Sequence, residues 1–334
     1  MKEKITIIGG GSWGSALSRI LADNSHDVLI YDRNENIVNE INNFHTNHKY
    51  LPEGFLPLNV FATSNLKDAL EFSEILLLVV PTAVIREVLN NIKLLINKPK
   101  LFINASKGIE PNSFKRVSEI VKEIIPAIYI KGFVALTGPS HAEEVIKQML
   151  TTICSASENL NDAIKIQNIF SNNTYFRVYA VNDLIGAELG GALKNIYAIA
   201  AGILDGLGFG DNAKAGLICR SLAEMCRIAI FFKAKPETLY GLTGVGDLIV
   251  TCTSKHSRNY QAGFIIGSGY DLKKALSQIT MVVEGARTCL STYQISQKYK
   301  LDTPIVTTIY NIIYLEKNPY EEISKLMNRS LKIE

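Results

Sequence analysis

Three groups of residues in this chain have the types and spacing to do chemistry. The first is Gly9-Gly10-Gly11-Ser12-Trp13-Gly14, which satisfies G-x-G-x-x-G. It follows the aliphatic run Ile5–Ile8 and precedes a helix-compatible stretch; the next strand-like run, Val28–Tyr31, ends in Asp32, 23 positions after Gly9. That context is what a pyrophosphate-binding turn needs. Gly9 permits the tight turn, Gly11 lets backbone approach the anion, Gly14 lets helix pack on strand, and the helix N-terminus offers unpaired N–H groups. The implied ligand is NAD or NADP. Asp32 suits a ribose 2′-hydroxyl and Arg33 suits a 2′-phosphate, so the residues leave the choice open.

The second group centres on Lys194, in Leu189-Gly190-Gly191-Ala192-Leu193-Lys194-Asn195-Ile196. Its neighbours are small or apolar on nearly every side, and the glycines would let another element or a ligand come close. A lysine buried there is expected to have a partner or a role, with its pKa lowered toward the range useful for proton transfer. Asp247, in Gly244-Val245-Gly246-Asp247-Leu248, is expected in a turn, where it would orient or balance that charge or bond its own backbone. Ser257-Arg258-Asn259 precedes a helical run; capping side chains plus arginine at a helix start form a cradle for phosphate. The third group follows two strand-like runs: Ser106-Lys107-Gly108, and Gly138-Pro139-Ser140-His141-Ala142. Carboxyl ends of parallel strands are where ligands bind in open α/β sheets. His141 by itself reads as a solvated loop histidine.

The elements that must position these groups follow from pattern. Strand-like runs at Ile5–Ile8, Val28–Tyr31, Ile75–Val80, Leu101–Ile103, Phe133–Leu136, Thr151–Cys154 and Tyr175–Val181 alternate with helical stretches such as Gly14–Ala22 and Phe114–Ile125. Strands apolar on both faces and alternating with helices imply a Rossmann-type, mostly parallel sheet with helices on both faces. From Asp183, an expected N-cap, the spacing turns helical: a first helix through Leu189, Leu193, Ile196 and Ala200, then Lys214–Phe232, Tyr260–Ile266 and Thr288–Tyr299. One short strand is expected at Leu248–Cys252. The reading is therefore an α/β dinucleotide-binding domain, residues 1–182, followed by an all-helical substrate-binding and catalytic domain, residues 183–334.

Composition narrows the partners. In 334 residues, 35 Lys plus Arg stand against 32 Asp plus Glu, a net charge of +3, too weak by itself to argue for nucleic acid or a membrane surface. Apolar residues make up 47 %, which excludes an intrinsically disordered chain. The five cysteines form no C-x-x-C, so a disulfide framework or zinc site is not expected and a reducing cytoplasm fits. His45-x-x-His48 lacks a third ligand and reads as a solvated loop; no metal is expected. No secretory signal or membrane span is expected.

These motifs, in this order, resemble those of the bacterial NAD(P)-dependent glycerol-3-phosphate dehydrogenase family over nearly the whole length. They run from Ile8-Gly9-Gly10-Gly11-Ser12-Trp13-Gly14 through Tyr50-Leu51-Pro52, Val79-Val80-Pro81-Thr82, Ser106-Lys107-Gly108 and Thr137-Gly138-Pro139-Ser140-His141-Ala142. They continue through Gly190–Asn195, Gly206–Asn212, Gly246-Asp247-Leu248, Ser257-Arg258-Asn259 and Val282-Val283-Glu284-Gly285. The resemblance implies hydride transfer between nicotinamide and C2 of the triose, interconverting sn-glycerol 3-phosphate and dihydroxyacetone phosphate, for phospholipid synthesis in the cytoplasm. It implies Lys194 as catalytic acid/base, and Lys107, Gly138, Ser140, Lys194, Asp247, Ser257, Arg258 and Asn259 around the substrate. It places Ser12, Trp13, Arg33, Tyr50, Lys107, Ala142, Arg258, Val282 and Glu284 on the cofactor, beside the loop glycines Gly9, Gly11 and Gly14. A homodimer rests on the resemblance alone. Two departures stand out: Gly10 where the family commonly has alanine, expected to be harmless, and Asp32 where a small neutral residue is common, which tilts the cofactor toward NAD. The alternatives are a related hydroxyacid reductase of the same fold, which would not need a substrate phosphate, and a non-catalytic NAD(P)-binding redox sensor, which would have no use for Lys194 with Asp247 and Arg258.

Overall fold

The computed structural model describes residues 2–111, 113–279, 282–331 and 333. The chain forms two compact units, residues 1–107 with 115–188, and residues 108–114 with 189–334.

Among the described residues the first unit holds ten strands: β1 (Lys4–Ile8), β2 (Asp27–Tyr31), β3 (Thr46–Asn47), β4 (Leu51–Phe55), β5 (Val60–Thr63), β6 (Ile75–Leu78), β7 (Lys100–Asn104), β8 (Ile130–Thr137), β9 (Thr151–Ala156) and β10 (Phe176–Val181). Eight make one sheet in the order β10-β9-β8-β7-β6-β1-β2-β5, and β3 and β4 form a separate antiparallel pair. Every pairing in the large sheet is parallel except β8 with β9. The strand period of two divides the aliphatic residues between two cores. Ile5, Ile7, Ile30, Leu77 and Ile103 enter one cluster, whereas Ile8, Leu76, Leu78 and Phe102 enter the other. That two-sided burial is why the strands read as unbroken apolar runs. Strand β5 and the β3–β4 pair were not expected; Val60-Phe61-Ala62-Thr63 is short and exposes Phe61 at the sheet edge, so its pattern is weak.

The second unit is built on the part of helix Leu184–Gly206 that follows Glu188. Leu189, Leu193, Ile196, Tyr197, Ile199 and Ile203 are all fully buried. Asp183 caps this helix as expected, accepting the Gly186 N–H at 3.0 Å. Three further helices match their expected positions: Asp211–Phe231, Arg258–Gly267 and Glu284–Tyr299. The strand expected at Leu248–Cys252 is instead helix Asp247–Thr253. Leu248, Thr251 and Cys252 are buried while Ile249 is exposed, an i, i+3, i+4 stripe that five residues are too few to display.

Glu224 sits at 0 % exposure in this unit, accepting the Ile305 and Val306 N–H groups at 3.0 and 2.9 Å. Burial pushes its carboxyl up to about 7, against the opposing pull of those N–H groups and Arg227. The folded-state value lies above the unfolded one, so the stability it contributes is complete below about pH 4.5 and fades as pH rises through about 7. Chemical denaturation of Glu224→Gln against wild type across pH 5 to 8 is expected to flatten the pH dependence by up to about 3 kcal/mol. An unchanged slope would remove this assignment.

Candidate active site

In the first unit the glycine loop leaves β1 and enters helix Ser12–Asp23. Gly9 has φ +120°, and a Cβ there would lie 2.7 Å from the Val79 carbonyl oxygen. A Cβ on Gly14 would lie 2.0 Å from the Gly9 carbonyl oxygen, so helix and turn touch through backbone alone. A Cβ on Gly11 would meet nothing within 4 Å. That open face borders the N–H groups of the helix's first turn, and the indole Nε1 of Trp13 is buried without a hydrogen-bond partner among the described residues. These features fit a dinucleotide: close backbone approach, a helix start beside the open face and a buried indole donor that lacks a partner among the described residues. Arg33 is exposed just beyond β2, Tyr50 is half-buried against the core, and Ala142 is buried at the start of helix Ala142–Val145.

The same unit brings Lys107, Gly138 and Ser140 together. Lys107 Nζ donates to the Gly138 carbonyl oxygen at 2.8 Å and to Ser140 Oγ at 3.2 Å. Ser140 Oγ in turn donates to that carbonyl at 2.8 Å. Gly138 needs its φ of +135°, and a Cβ there would press on Ile153 Cα at 2.9 Å. The lysine is thus held over the carboxyl ends of β7 and β8, which are neighbours in the sheet.

In the second unit Lys194 is 5 % exposed and its Nζ donates to Asp247 Oδ1 at 2.5 Å and Thr251 Oγ1 at 2.8 Å. Asp247 is 1 % exposed and opens helix Asp247–Thr253 after a π-helical turn, Leu242–Gly246. The free turn expected for it is therefore the entry to a helix, and its charge faces the ammonium. Thr251 was not singled out from sequence. Its signal was the i+4 spacing from Asp247, which becomes meaningful only once that run is helical.

A second network lies one residue on. Asn259 Nδ2 donates to Asn195 Oδ1 at 2.9 Å, and Asn259 Oδ1 accepts the Gly285 N–H at 2.8 Å. This ties three helices together beside Lys194: its own, Arg258–Gly267 and Glu284–Tyr299. Asn195 is the other residue missed from sequence. Ser257 caps the Arg258 helix, accepting the Tyr260 N–H at 3.2 Å, and Arg258 is half-buried at its first position. Glu284 begins its helix and Val282, two residues earlier, is exposed. The expected close approach is present at Gly190, where a Cβ would lie 2.6 Å from the Thr243 carbonyl oxygen. A second close approach, not read from sequence, is at Gly263, where a Cβ would lie 2.0 Å from the Ile199 carbonyl oxygen. Gly190 therefore sets how closely the Lys194 helix meets the turn that leads into Asp247, and Gly263 how closely it meets helix Arg258–Gly267.

Among the described residues no group of three His, Cys, Asp or Glu side chains could hold a metal ion, and no helix is long and apolar enough to cross a membrane. His48 Nδ1 lies 2.7 Å from Glu40.

A Rossmann-type sheet with an open glycine turn, in a chain that also carries a buried lysine–aspartate pair on a helical unit, defines a dinucleotide-dependent dehydrogenase architecture. Comparison with known proteins gives the family. The model of the NAD-dependent glycerol-3-phosphate dehydrogenase N-terminus matches residues 4–163 and that of the C-terminus matches residues 183–324. The chain is 48 % identical over 332 residues to a glycerol-3-phosphate dehydrogenase [NAD(P)+] of Lysinibacillus sphaericus, covering 99 % of this chain and 98 % of that one. It is 49 % identical to the corresponding protein of Bacillus cytotoxicus, covering 99 % and 97 %. The crystal structure of glycerol-3-phosphate dehydrogenase from Coxiella burnetii superposes with a TM-score of 0.93 at 34 % identity, covering 98 % of this chain and 99 % of that one. The chain belongs to the NAD-dependent glycerol-3-phosphate dehydrogenase family.

Proposed function

We propose that this protein interconverts sn-glycerol 3-phosphate and dihydroxyacetone phosphate with NAD(P) as hydride carrier. The observation that carries the reading is the buried cluster of Lys194, Asp247 and Thr251 in a chain of this family. The first unit binds the dinucleotide, with Gly9, Gly11 and Gly14 shaping the turn. When bound, the nicotinamide supplies the hydride to C2 of the ketone or accepts it from the alcohol. Lys194 Nζ delivers a proton to the C2 oxygen during reduction and receives it during oxidation. As an ammonium it also stabilises the negative charge that builds on that oxygen. Asp247 offsets the ammonium, and Thr251 fixes the direction of Nζ. Ser257, Arg258 and Asn259, at a helix start, take the substrate phosphate. Lys107, positioned by Gly138 and Ser140, supplies a further cation to the substrate. A cytoplasmic homodimer feeding phospholipid synthesis belongs to the same proposal.

Arg258→Ala tests the phosphate assignment. The Michaelis constant for dihydroxyacetone phosphate is expected to rise about a hundredfold, as for a lost charge-assisted pair. Weak reduction of phosphate-free dihydroxyacetone is expected to fall far less, at saturating cofactor. A variant with an unchanged constant for the phosphate ester would break this reading in favour of a phosphate-independent reductase.

A further inference from the structure

We propose that Asp32, seated against Gly10, makes this enzyme select NAD(H) over NADP(H). The inference rests on the dinucleotide reading of the glycine loop and deepens it. Strands β1 and β2 pair with Ile8 opposite Tyr31, and the Gly9 N–H donates to the Tyr31 carbonyl at 2.9 Å. Asp32 follows directly, so its side chain lies alongside the turn, where the adenosine ribose hydroxyls fall in this fold.

The carboxylate is fixed there from both sides. Oδ2 accepts the Gly10 N–H at 2.9 Å and Oδ1 accepts the Asn34 N–H at 2.9 Å. The backbone is held too, by the Asp32 N–H on the Thr63 carbonyl at 3.1 Å. Two of about four acceptor positions on a carboxylate are thereby used, which leaves room to accept from a ribose 2′-hydroxyl. A 2′-phosphate offers no such donor and brings negative charge against a carboxylate that has no ion-pair partner among the described residues. Arg33 does not cancel this. It is exposed, and a charge in water is screened more strongly than a half-buried one.

Gly10 is part of the same device. A Cβ at position 10 would lie 3.0 Å from Asp32 Oδ2 and 3.3 Å from its Cβ. A methyl at position 10 would therefore press on the carboxylate, which would have to give by a few tenths of an ångström and loosen its bond to the Gly10 N–H. Gly10 lets the carboxylate keep its place against the turn without that displacement.

The chain's one tryptophan, Trp13, lies in the loop, so its fluorescence reports dinucleotide binding without turnover. Titration of the full-length wild type is expected to give a dissociation constant for NADH at least about tenfold below that for NADPH. Asp32→Ser is expected to shrink that ratio about tenfold or invert it. Gly10→Ala is expected to shrink it as well, and to have no further effect in the Asp32→Ser background, since the seat is then empty. Thermal unfolding checks that each variant is folded. Equal or tighter binding of NADPH by the wild type overturns the proposal, and so does an unmoved ratio in Asp32→Ser. Full additivity of the two substitutions overturns the Gly10 pairing. Binding of neither dinucleotide by folded wild type sinks the reading of the loop itself.

Discussion

Lys194→Ala is expected to lower kcat for dihydroxyacetone phosphate reduction by roughly a thousandfold or more, with NADH affinity unchanged. The magnitude combines a lost proton donor, worth about 10² to 10⁴, with lost stabilisation of the developing oxyanion. The variant also leaves Asp247 buried at 1 % exposure with its cation gone. A buried carboxylate that loses its cation costs several kcal/mol or takes up a proton, so the melting temperature is expected to fall too. Lys194→Ala with Asp247→Asn separates the two effects: stability should recover and turnover should not. Steady-state kinetics, Trp13 fluorescence and thermal unfolding read the three quantities. Substantial residual turnover in a folded Lys194→Ala protein would remove the lysine from the chemistry.

The second large effect concerns the glycine turn. Gly14→Ala places a methyl 2.0 Å from the Gly9 carbonyl oxygen, well inside contact distance, and the obstacle is backbone rather than a side chain that can swing away. Helix Ser12–Asp23 must shift on β1, at about 3 kcal/mol of stability, and NADH binding is expected to vanish from the titration. Gly11→Ala provides the contrast. Its methyl meets no protein atom within 4 Å, so stability should stay within about 1 kcal/mol, the scale of a glycine-to-alanine change at an N-cap. Binding should nonetheless be lost, because the vacant space is where pyrophosphate approaches. Gly11→Ala that binds NADH normally would mean the open face at Gly11 has no part in holding the cofactor.

The amino-acid sequence by itself determined the sheet, the glycine turn and the family. Strands buried on both faces are unbroken aliphatic runs, and the turn's conformational needs are met only by glycine at Gly9 and Gly14, so both are written locally. The capping of the long helix by Asp183 is likewise a short-range feature. Edge strand β5 was not legible, because four residues that bury only Val60 and Ala62 and expose Phe61 are too few to display an alternation. Helix Asp247–Thr253 was not legible either: its β-branched run mimics a strand, and only burial of Leu248, Thr251 and Cys252 reveals the helical stripe. The tertiary structure alone decided that Lys194, Asp247 and Thr251 meet, since 53 residues separate the first two and no local pattern encodes that distance. The same holds for Asn195 with Asn259, and for Gly10 with Asp32. In each pair one residue's space or hydrogen bond exists only because the other is brought to it, and that is a property of packing rather than of spacing along the chain.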